Sequence, residues 1–295
     1  MEFWILISII AYFLFAICNI FEKKLRTNNS INALTIIFLS SSATVFLLLL
    51  PLFFSISTSD IFLIIMAVIS GVINVIAFLP YVIALKREEV SRLVSLWNFA
   101  PIPTFILAFF ILQEKLPNNF YISFILLLIG GVLISFRDFK GSFSSYGFFM
   151  MMLSNLIYSV ALVIMKYVLN FLNFIEFLFY SSMGHILILI ILLALKNTRN
   201  EIIGDIKKIK HKFFLPGYML IIITAAIFYI LSIQSGPLSI VVALGSFQAL
   251  FVFLLALIFS LMFSRMLKEE TKLESIAIKA TSILLMIIGL YLLQN

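Results

Sequence analysis

The sequence predicts an all-α membrane protein: ten transmembrane helices arranged as two inverted five-helix repeats. Three observations predict it. First, 63% of the 295 residues are hydrophobic and only 11% are charged, whereas a water-soluble domain carries roughly a quarter of its residues charged. Second, apolar runs of about 20 residues, the length that crosses a bilayer as a helix, follow one another from end to end. Barrel strands would be shorter and would alternate apolar with polar residues. Third, the two halves of the chain align weakly with each other.

The spans run over roughly 3–21, 31–54, 61–85, 90–112, 119–136, 146–169, 173–195, 213–234, 237–264 and 274–293. The first, "FWILISIIAYFLFAICNIF", is too long for a signal-peptide core and no small-residue cleavage site follows it. It is read as a mature helix. The fourth holds Pro101 and Pro103 near its middle, the fifth ends in Gly130-Gly131, and the seventh opens on Glu176. The loop "KNTRNEIIGDIKKIKHK" (196–212) reads as a short amphipathic surface segment. "QSGPL" (234–238) is a tight turn, since Gly followed by Pro ends one helix and starts the next. No stretch reads as a soluble domain.

The formal charge is +7. It is placed in loops, where Lys and Arg hold membrane helices in their orientation, so nucleic acid is not an expected partner. Seventeen of the 20 basic residues fall in alternate loops, from Lys23 to Lys272, against Lys115 and Lys166 on the other side. This bias predicts external termini. The single cysteine, Cys18, excludes an internal disulfide and a Cys-based metal cluster. No cofactor and no metal is expected.

The internal repeat sets 1–141 against 142–295. "YVIALKREEVSRLVSLWNFAPIPTFILAFFI" (81–111) lies over "YILSIQSGPLSIVVALGSFQALFVFLLALIF" (229–259), so that Tyr81 meets Tyr229, Leu96 meets Leu244, Asn98 meets Ser246 and Phe99 meets Phe247. With another offset, Tyr12 meets Asn155, Ala16 meets Ser159 and Lys23 meets Lys166. Chance likeness between apolar helices is the competing reading. Five spans per copy would put the second copy in the membrane upside down, a carrier architecture with its site near the midplane.

The segment "ALKREEVSRLVSLWNFAPIPTFILAFFILQEKLPNNFYISFILLLIGGVLIS" (84–135) resembles the EamA repeat of the drug/metabolite transporter superfamily. Ala84-Leu85-Lys86, Pro101, Glu114-Lys115-Leu116 and Gly130-Gly131 occupy that repeat's characteristic places, with Gln113 where a Gly is usual and Lys115 where an Arg is usual. The second half keeps an acidic turn and Gly289 but lacks the Pro. The resemblance implies a ten-helix secondary carrier of small metabolites, often an exporter. Many members have cytoplasmic termini, the reverse of what the charge bias predicts here.

Pro101 and Pro103 cannot donate to the carbonyls of Trp97 and Phe99, so an opened turn is expected, lining a cavity or serving as a packing kink. Ser91, Ser95 and Asn98 form one polar stripe at helical spacing; Ser239, Ala243 and Ser246 form its counterpart. Tyr12, Ala16, Asn19 and Lys23 form another, matched by Asn155, Ser159, Leu162 and Lys166. Lys23 and Lys166 either snorkel to the interface or bind an anion. Tyr12, Asn19, Asn74, Tyr81, Trp97, Asn98, Asn155, Tyr158, Tyr229, Ser246 and Gln248 are the candidate cavity residues, with Pro101 and Pro103 as a hinge. Aromatic walls with a few amides and hydroxyls suit a small amphipathic solute. Helix-to-helix hydrogen bonding is the plainer role for any single Ser or Asn. Glu176 and His185 are candidates for coupling to a proton or sodium ion; an interfacial carboxylate and a satisfied packing histidine are the alternatives.

Three functions follow in order of fit: a secondary transporter in the cell membrane, a channel or scaffold, and an intramembrane enzyme. No catalytic constellation, filter motif or Gly-rich nucleotide loop is present in the sequence. The expected partners are a small-molecule solute and the lipid bilayer, and the expected assembly is a monomer or homodimer.

Overall fold

Backbone hydrogen bonds must be closed internally wherever a chain meets hydrocarbon, and helices are how this chain closes them. The computed structural model describes residues 2–57, 60–85, 93, 95–134, 145–209, 212–262 and 273–294. Among these, every regular element is helical. Seven segments are long and apolar enough to span a membrane: Phe3–Arg26, Ala33–Leu52, Ile61–Ala84, Ser145–Leu169, Phe174–Ala194, Phe214–Ser235 and Leu238–Ala256. Three shorter apolar helical stretches, Leu96–Ile111, Asn118–Ile134 and Ala280–Leu292, complete the set among the described residues. Ser91 of the expected polar stripe, and Lys86, Arg87 and Arg92 of the adjoining basic loop, lie outside the described residues.

The helix α1 (Phe3–Asn29) outruns the apolar stretch 3–21 because its polar end has partners. Tyr218 Oη donates to Glu22 Oε1 at 2.7 Å and Arg26 Nη1 donates to Tyr81 Oη at 2.8 Å. The second span begins as α2 (Ala33–Ser42) and tightens into a 3-10 helix over Ala43–Leu52. Around the junction Ser40, Ser42 and Thr44 bond the carbonyls three residues back, the local competition with α-helical bonding that these side chains offer. The third span is two pieces, α3 (Ile61–Ile76) and α4 (Leu79–Ala84). Pro80, in the first turn of α4, has no N–H and cannot continue the helix from α3. That break lies inside the continuous span expected from the sequence.

The fourth span enters α5 (Pro101–Ile111) through a 3-10 turn at Leu96–Phe99. Next come α6 (Asn118–Ile134), α7 (Ser145–Leu169) and α8 (Phe174–Ala194). The amphipathic segment is α9 (Lys196–Lys208), followed by α10 (Phe214–Ser235). The ninth span is again two pieces, α11 (Leu238–Ala243) and α12 (Ser246–Met262). The last helix is α13 (Leu273–Leu292).

Glycines set the closest helix contacts, as in many membrane bundles. Helices α3 and α8 cross where Gly71 meets the Ser181 carbonyl oxygen and Gly184 meets that of Val68; a Cβ on either would stand 2.1 Å from that oxygen. Gly130 and Gly289 do the same for α6 against α13: a Cβ on Gly130 would stand 2.8 Å from Met286, and one on Gly289 3.2 Å from Leu127.

The surface helix α9 is fixed by acids. Asp205 is buried, and its Oδ2 accepts the Asn32 N–H at 2.8 Å and the Thr35 hydroxyl at 3.0 Å. It thereby caps α2 from another element. Burial pushes the Asp205 carboxyl up, but the hydrogen bonds from Lys208, Asn32 and Thr35 outweigh it and hold the group below its ordinary value of 3.8.

Two predictions follow from this packing. Gly184→Ala forces α3 and α8 apart and should lower the thermal midpoint by several degrees, whereas Gly204→Ala, where nothing lies within 4 Å, should stabilise α9 by about 0.5–1 kcal/mol. Thermal unfolding in one detergent compares them, and equal destabilisation of both would refute the crossing. For Asp205 the folded pKa lies below the unfolded one, so its contribution is complete above 3.8 and fades as pH falls through the folded value. The stability gap between wild type and Asp205→Asn should therefore hold steady from pH 7 to pH 5 and close only in stronger acid.

Candidate functional site

At the fourth span the break has a defined hydrogen-bond pattern. Pro101 has no N–H to offer the Trp97 carbonyl, but that carbonyl is not left open as the sequence suggested. The Ala100 N–H takes it at 2.9 Å, a 3-10 bond. Ala100 would otherwise have donated to Leu96 in an α-helix, and the Leu96 carbonyl accepts the Asn155 Nδ2 amide at 2.9 Å instead. Pro101 is buried at the first position of α5 and Pro103 is half-buried two residues on. Both stand where a missing N–H is harmless. The prolines start a helix here; the 3-10 turn before them makes the break.

The ninth span breaks without proline. The Gly245 N–H turns back to Val242 at 3.0 Å and the Gln248 N–H to Gly245 at 2.9 Å. The Val241 carbonyl, deprived of Gly245, accepts the Tyr12 hydroxyl at 2.9 Å. Gly245 allows the Tyr12 ring to lie this close: a Cβ there would stand 3.2 Å from the ring and 2.8 Å from the Val242 oxygen. The sequence alignment places Trp97 over Gly245, and Tyr12 over Asn155. The two 3-10 bonds, Ala100 to Trp97 and Gln248 to Gly245, thus fall at matching positions. Each is accompanied by a matching side chain from the opposite half, bonded to a nearby carbonyl.

The helix α7 lies along these breaks. Ser154 donates to the Ala77 carbonyl at the break of the third span. Asn155 holds Leu96, and Ser159 shares the Ala100 carbonyl with Thr104, their hydroxyls 2.8 Å apart. Asn98 and Ser246, also aligned, both lie against Gly131 of α6; its Cβ would stand 3.4 Å from Asn98 Oδ1 and 2.8 Å from Ser246 Cβ.

A file of aromatic rings connects these points. Tyr12 packs on Tyr229 at 5.7 Å between ring centroids. Tyr158 donates to the Tyr229 hydroxyl at 3.3 Å and packs edge-on to Trp97 at 5.8 Å. Trp97 packs on Phe78 at 5.2 Å and on Tyr81 at 6.3 Å, and Tyr81 is bonded to Arg26. Arg26 lies 14 residues beyond Tyr12 on α1, about 21 Å along its axis. The file thus runs from the middle of the bundle to one end. Asn155 Oδ1 and the hydroxyls of Ser239 and Ser246 are buried with no hydrogen-bond partner.

The opposite end is clamped by two charges. Gln113, where the related repeat has Gly, adopts the left-handed conformation (φ 52°). Glu114 N–H bonds the Ala108 carbonyl at 3.1 Å, the signature of a closed helix end. Its carboxylate then accepts the N–H groups of Leu238 at 2.9 Å and Ser239 at 3.1 Å, at the start of α11. Lys166 Nζ donates to Ile233, Gln234 and Gly236 at the end of α10. An anion on a helix start and a cation on a helix end are the favourable pairings with the helix dipoles. Trp4 packs on Gly236, so this end holds the start of α1, and α9 lies at the other.

The structure brings together Tyr12, Tyr81, Trp97, Asn98, Asn155, Tyr158, Tyr229 and Ser246 from the expected set. Asn19, Asn74 and Gln248 remain half-buried on α1, α3 and α12, and their side chains take no part in the bonds above. Glu176 is buried, with Oε1 accepting from the Ser57 amide and hydroxyl at 3.1 and 3.2 Å. His185 Nδ1 lies 3.0 Å from the Ser181 carbonyl, beside Gly71. Thr104, Ser154, Gly245, Arg26 and Phe78 joined the site without having been singled out, and Glu114 had been marked only as part of the resembled repeat. Gly245 was signalled by its place one residue before Ser246 in the repeat; the others were not.

A helical bundle with broken spans around a buried polar and aromatic file defines a multi-pass membrane protein. Residues 2–136 match the EamA-like transporter family. A solved crystal structure, described only as that of a protein, shares the fold with a TM-score of 0.67 at 11% identity over 98% of this chain and 94% of its own. Among curated proteins none matches this sequence.

Asn155→Leu and Tyr12→Phe should each lower stability by about 1–3 kcal/mol, because each strands a buried carbonyl at a break. Asn19→Leu should stay within about 0.5 kcal/mol of wild type. Thermal unfolding of the three variants decides it; losses for Asn155→Leu and Tyr12→Phe no larger than that for Asn19→Leu would show that the breaks need no such ties.

Proposed function

We propose that the protein is a secondary transporter, working as an exporter of a small amphipathic solute across the cell membrane by alternating access. Its ten spans form two inverted repeats, 1–141 and 142–295. The carrying observation is the reciprocal tie: Tyr12 from the first half bonds the broken ninth span, and Asn155 from the second half bonds beside the broken fourth span. Broken helices meeting at a repeat interface are where carriers of this architecture bind their solutes. The partnerless Asn155 Oδ1 and the hydroxyls of Ser239 and Ser246 offer polar contacts, and the rings of Tyr12, Trp97, Tyr158 and Tyr229 offer apolar walls, which together suit an amphipathic molecule. A proton or sodium gradient drives it, with Glu176 and His185 as the groups to test first.

Candidate solutes come from metabolite profiling of cells with and without the gene. Purified protein in liposomes should then carry the solute without ATP. Asn98→Leu should weaken solute binding by about two- to ten-fold, as expected for one polar contact of 0.5–1.5 kcal/mol. Pro101→Ala restores an N–H that competes for the Trp97 carbonyl, and should slow turnover while leaving the thermal midpoint within a few degrees. If neither variant alters flux, the site lies elsewhere. A cysteine at Asn197 in a Cys18→Ser background should resist impermeant thiol reagents in intact cells, and one at Asn295 should react; the reverse pattern would place both termini in the cytoplasm.

A further inference from the structure

We propose that the outward face of α9 is a docking surface for the headgroups of anionic phospholipids. Residues Lys196, Arg199, Ile203 and Lys207 follow one another at i, i+3, i+7 and i+11, which places them on one side of a helix. All four are exposed. The other side is buried: Ile202 is 1% exposed and Asp205 2%. Both carboxylates of the helix, the exposed Glu201 and the buried Asp205, are bonded to the start of α2. Glu201 accepts from Asn32 Nδ2 at 2.6 Å, and Asp205 caps α2 and pairs with Lys208 at 2.6 Å. With both acids bonded toward α2, the outward face carries three cations, the neutral Asn200 and an apolar side chain, and no carboxylate. The helix also starts with no side-chain cap and no acid in its first turn, so its dipole adds positive partial charge beside Lys196.

The location selects lipid over a soluble partner. Leu195 alone separates α9 from the span α8, and residues 209–213 separate it from the span α10. The helix is therefore held at the level where those two spans leave the membrane. Ile203 is 44% exposed, Leu195 54% and Phe213 84%. Apolar groups set among cations at that depth match an acyl-headgroup boundary, and the cations match its phosphates. An acidic protein would satisfy the charges and leave those three side chains in water. This inference is independent of the transport reading and would survive its failure.

The test is lipid selectivity of the full-length protein in liposomes, read by electron spin resonance with spin-labelled phosphatidylglycerol against spin-labelled phosphatidylcholine. Wild type should retain phosphatidylglycerol preferentially. The variant Lys196→Gln/Arg199→Gln/Lys207→Gln should lose that preference, by about five-fold per cation removed at low salt. Lys115→Gln, an exposed change at the opposite end, should leave it unchanged. Should the triple variant misfold, wild type in about 1 M salt gives the same answer, since screening then reaches only about 3 Å. Selectivity that persists in the triple variant or in salt, or that is absent in wild type, overturns the proposal. So does retention of soluble polyglutamate by wild type in phosphatidylcholine liposomes as strong as that of phosphatidylglycerol, because the occupant is then an acidic protein segment.

Discussion

A carbonyl that loses its helical donor inside a bilayer has no water to turn to, and leaving it unpaired costs several kcal/mol. The centre of this protein is organised by that constraint. Three spans break, at Ala77–Phe78, at Leu96–Phe99 and at Leu244–Gly245, and a side chain from another helix bonds a carbonyl beside each one: Ser154, Asn155 and Tyr12. Two of the three donors lie on α7, which explains why a membrane helix carries the polar run Ser154, Asn155, Tyr158, Ser159. Ser154, Asn155 and Ser159 spend their donors on neighbouring backbone carbonyls, and Tyr158 bonds the Tyr229 hydroxyl. The aromatic rings then fill the space that the breaks open, since each is held by a hydroxyl bond or by an edge-to-face contact with the next.

The same rule accounts for the clamp at the other end. The turn 234–238 ends one helix and starts another within five residues, so orphaned carbonyls and N–H groups sit side by side. One lysine serves the carbonyls and one glutamate the N–H groups. Glu114 can do so because Gln113 takes the left-handed turn. A glycine is the ordinary residue for that conformation, which gives a physical reason for the Gly-Glu pair seen in the related repeat.

Much of this was legible in the sequence. Apolar run lengths set the described helix ends to within a few residues, except at α1, where Glu22 and Arg26 looked like an end because their partners, Tyr218 and Tyr81, are distant in sequence; the start of the run expected from 90 lies outside the described residues. The alignment of Tyr12 with Asn155 and of Asn98 with Ser246 placed four of the central residues. Two things were hidden. Hydrogen-bond direction cannot be read from residue type, so Trp97 was expected to expose its carbonyl when the neighbouring Ala100 N–H in fact takes it. Gly131 and Gly245 were marked only by their places in the repeat, and nothing in their chemistry told that they decide how closely Tyr12, Asn98 and Ser246 approach. Pro80 was visible but lay inside an otherwise unbroken apolar run, and the run length masked it.

The two kinds of contact divide the bundle into parts that can and cannot shift. At the Gly71–Gly184 crossing backbone touches backbone, and sliding α3 past α8 by one residue would drive a Cβ into a carbonyl oxygen. Such crossings are fixed by sterics and have no intermediate position. The ties at the breaks are single hydrogen bonds of about 0.5–1.5 kcal/mol net, so exchanging one for a bond to a solute, or to a neighbouring carbonyl one turn on, lies within thermal reach. On the transport reading, the helices joined by glycines move as units, and the fourth and ninth spans bend at their 3-10 turns. Tyr12 and Asn155 are then both solute contacts and latches: a solute that takes either side chain's hydrogen bond also frees the carbonyl that held a broken span in place.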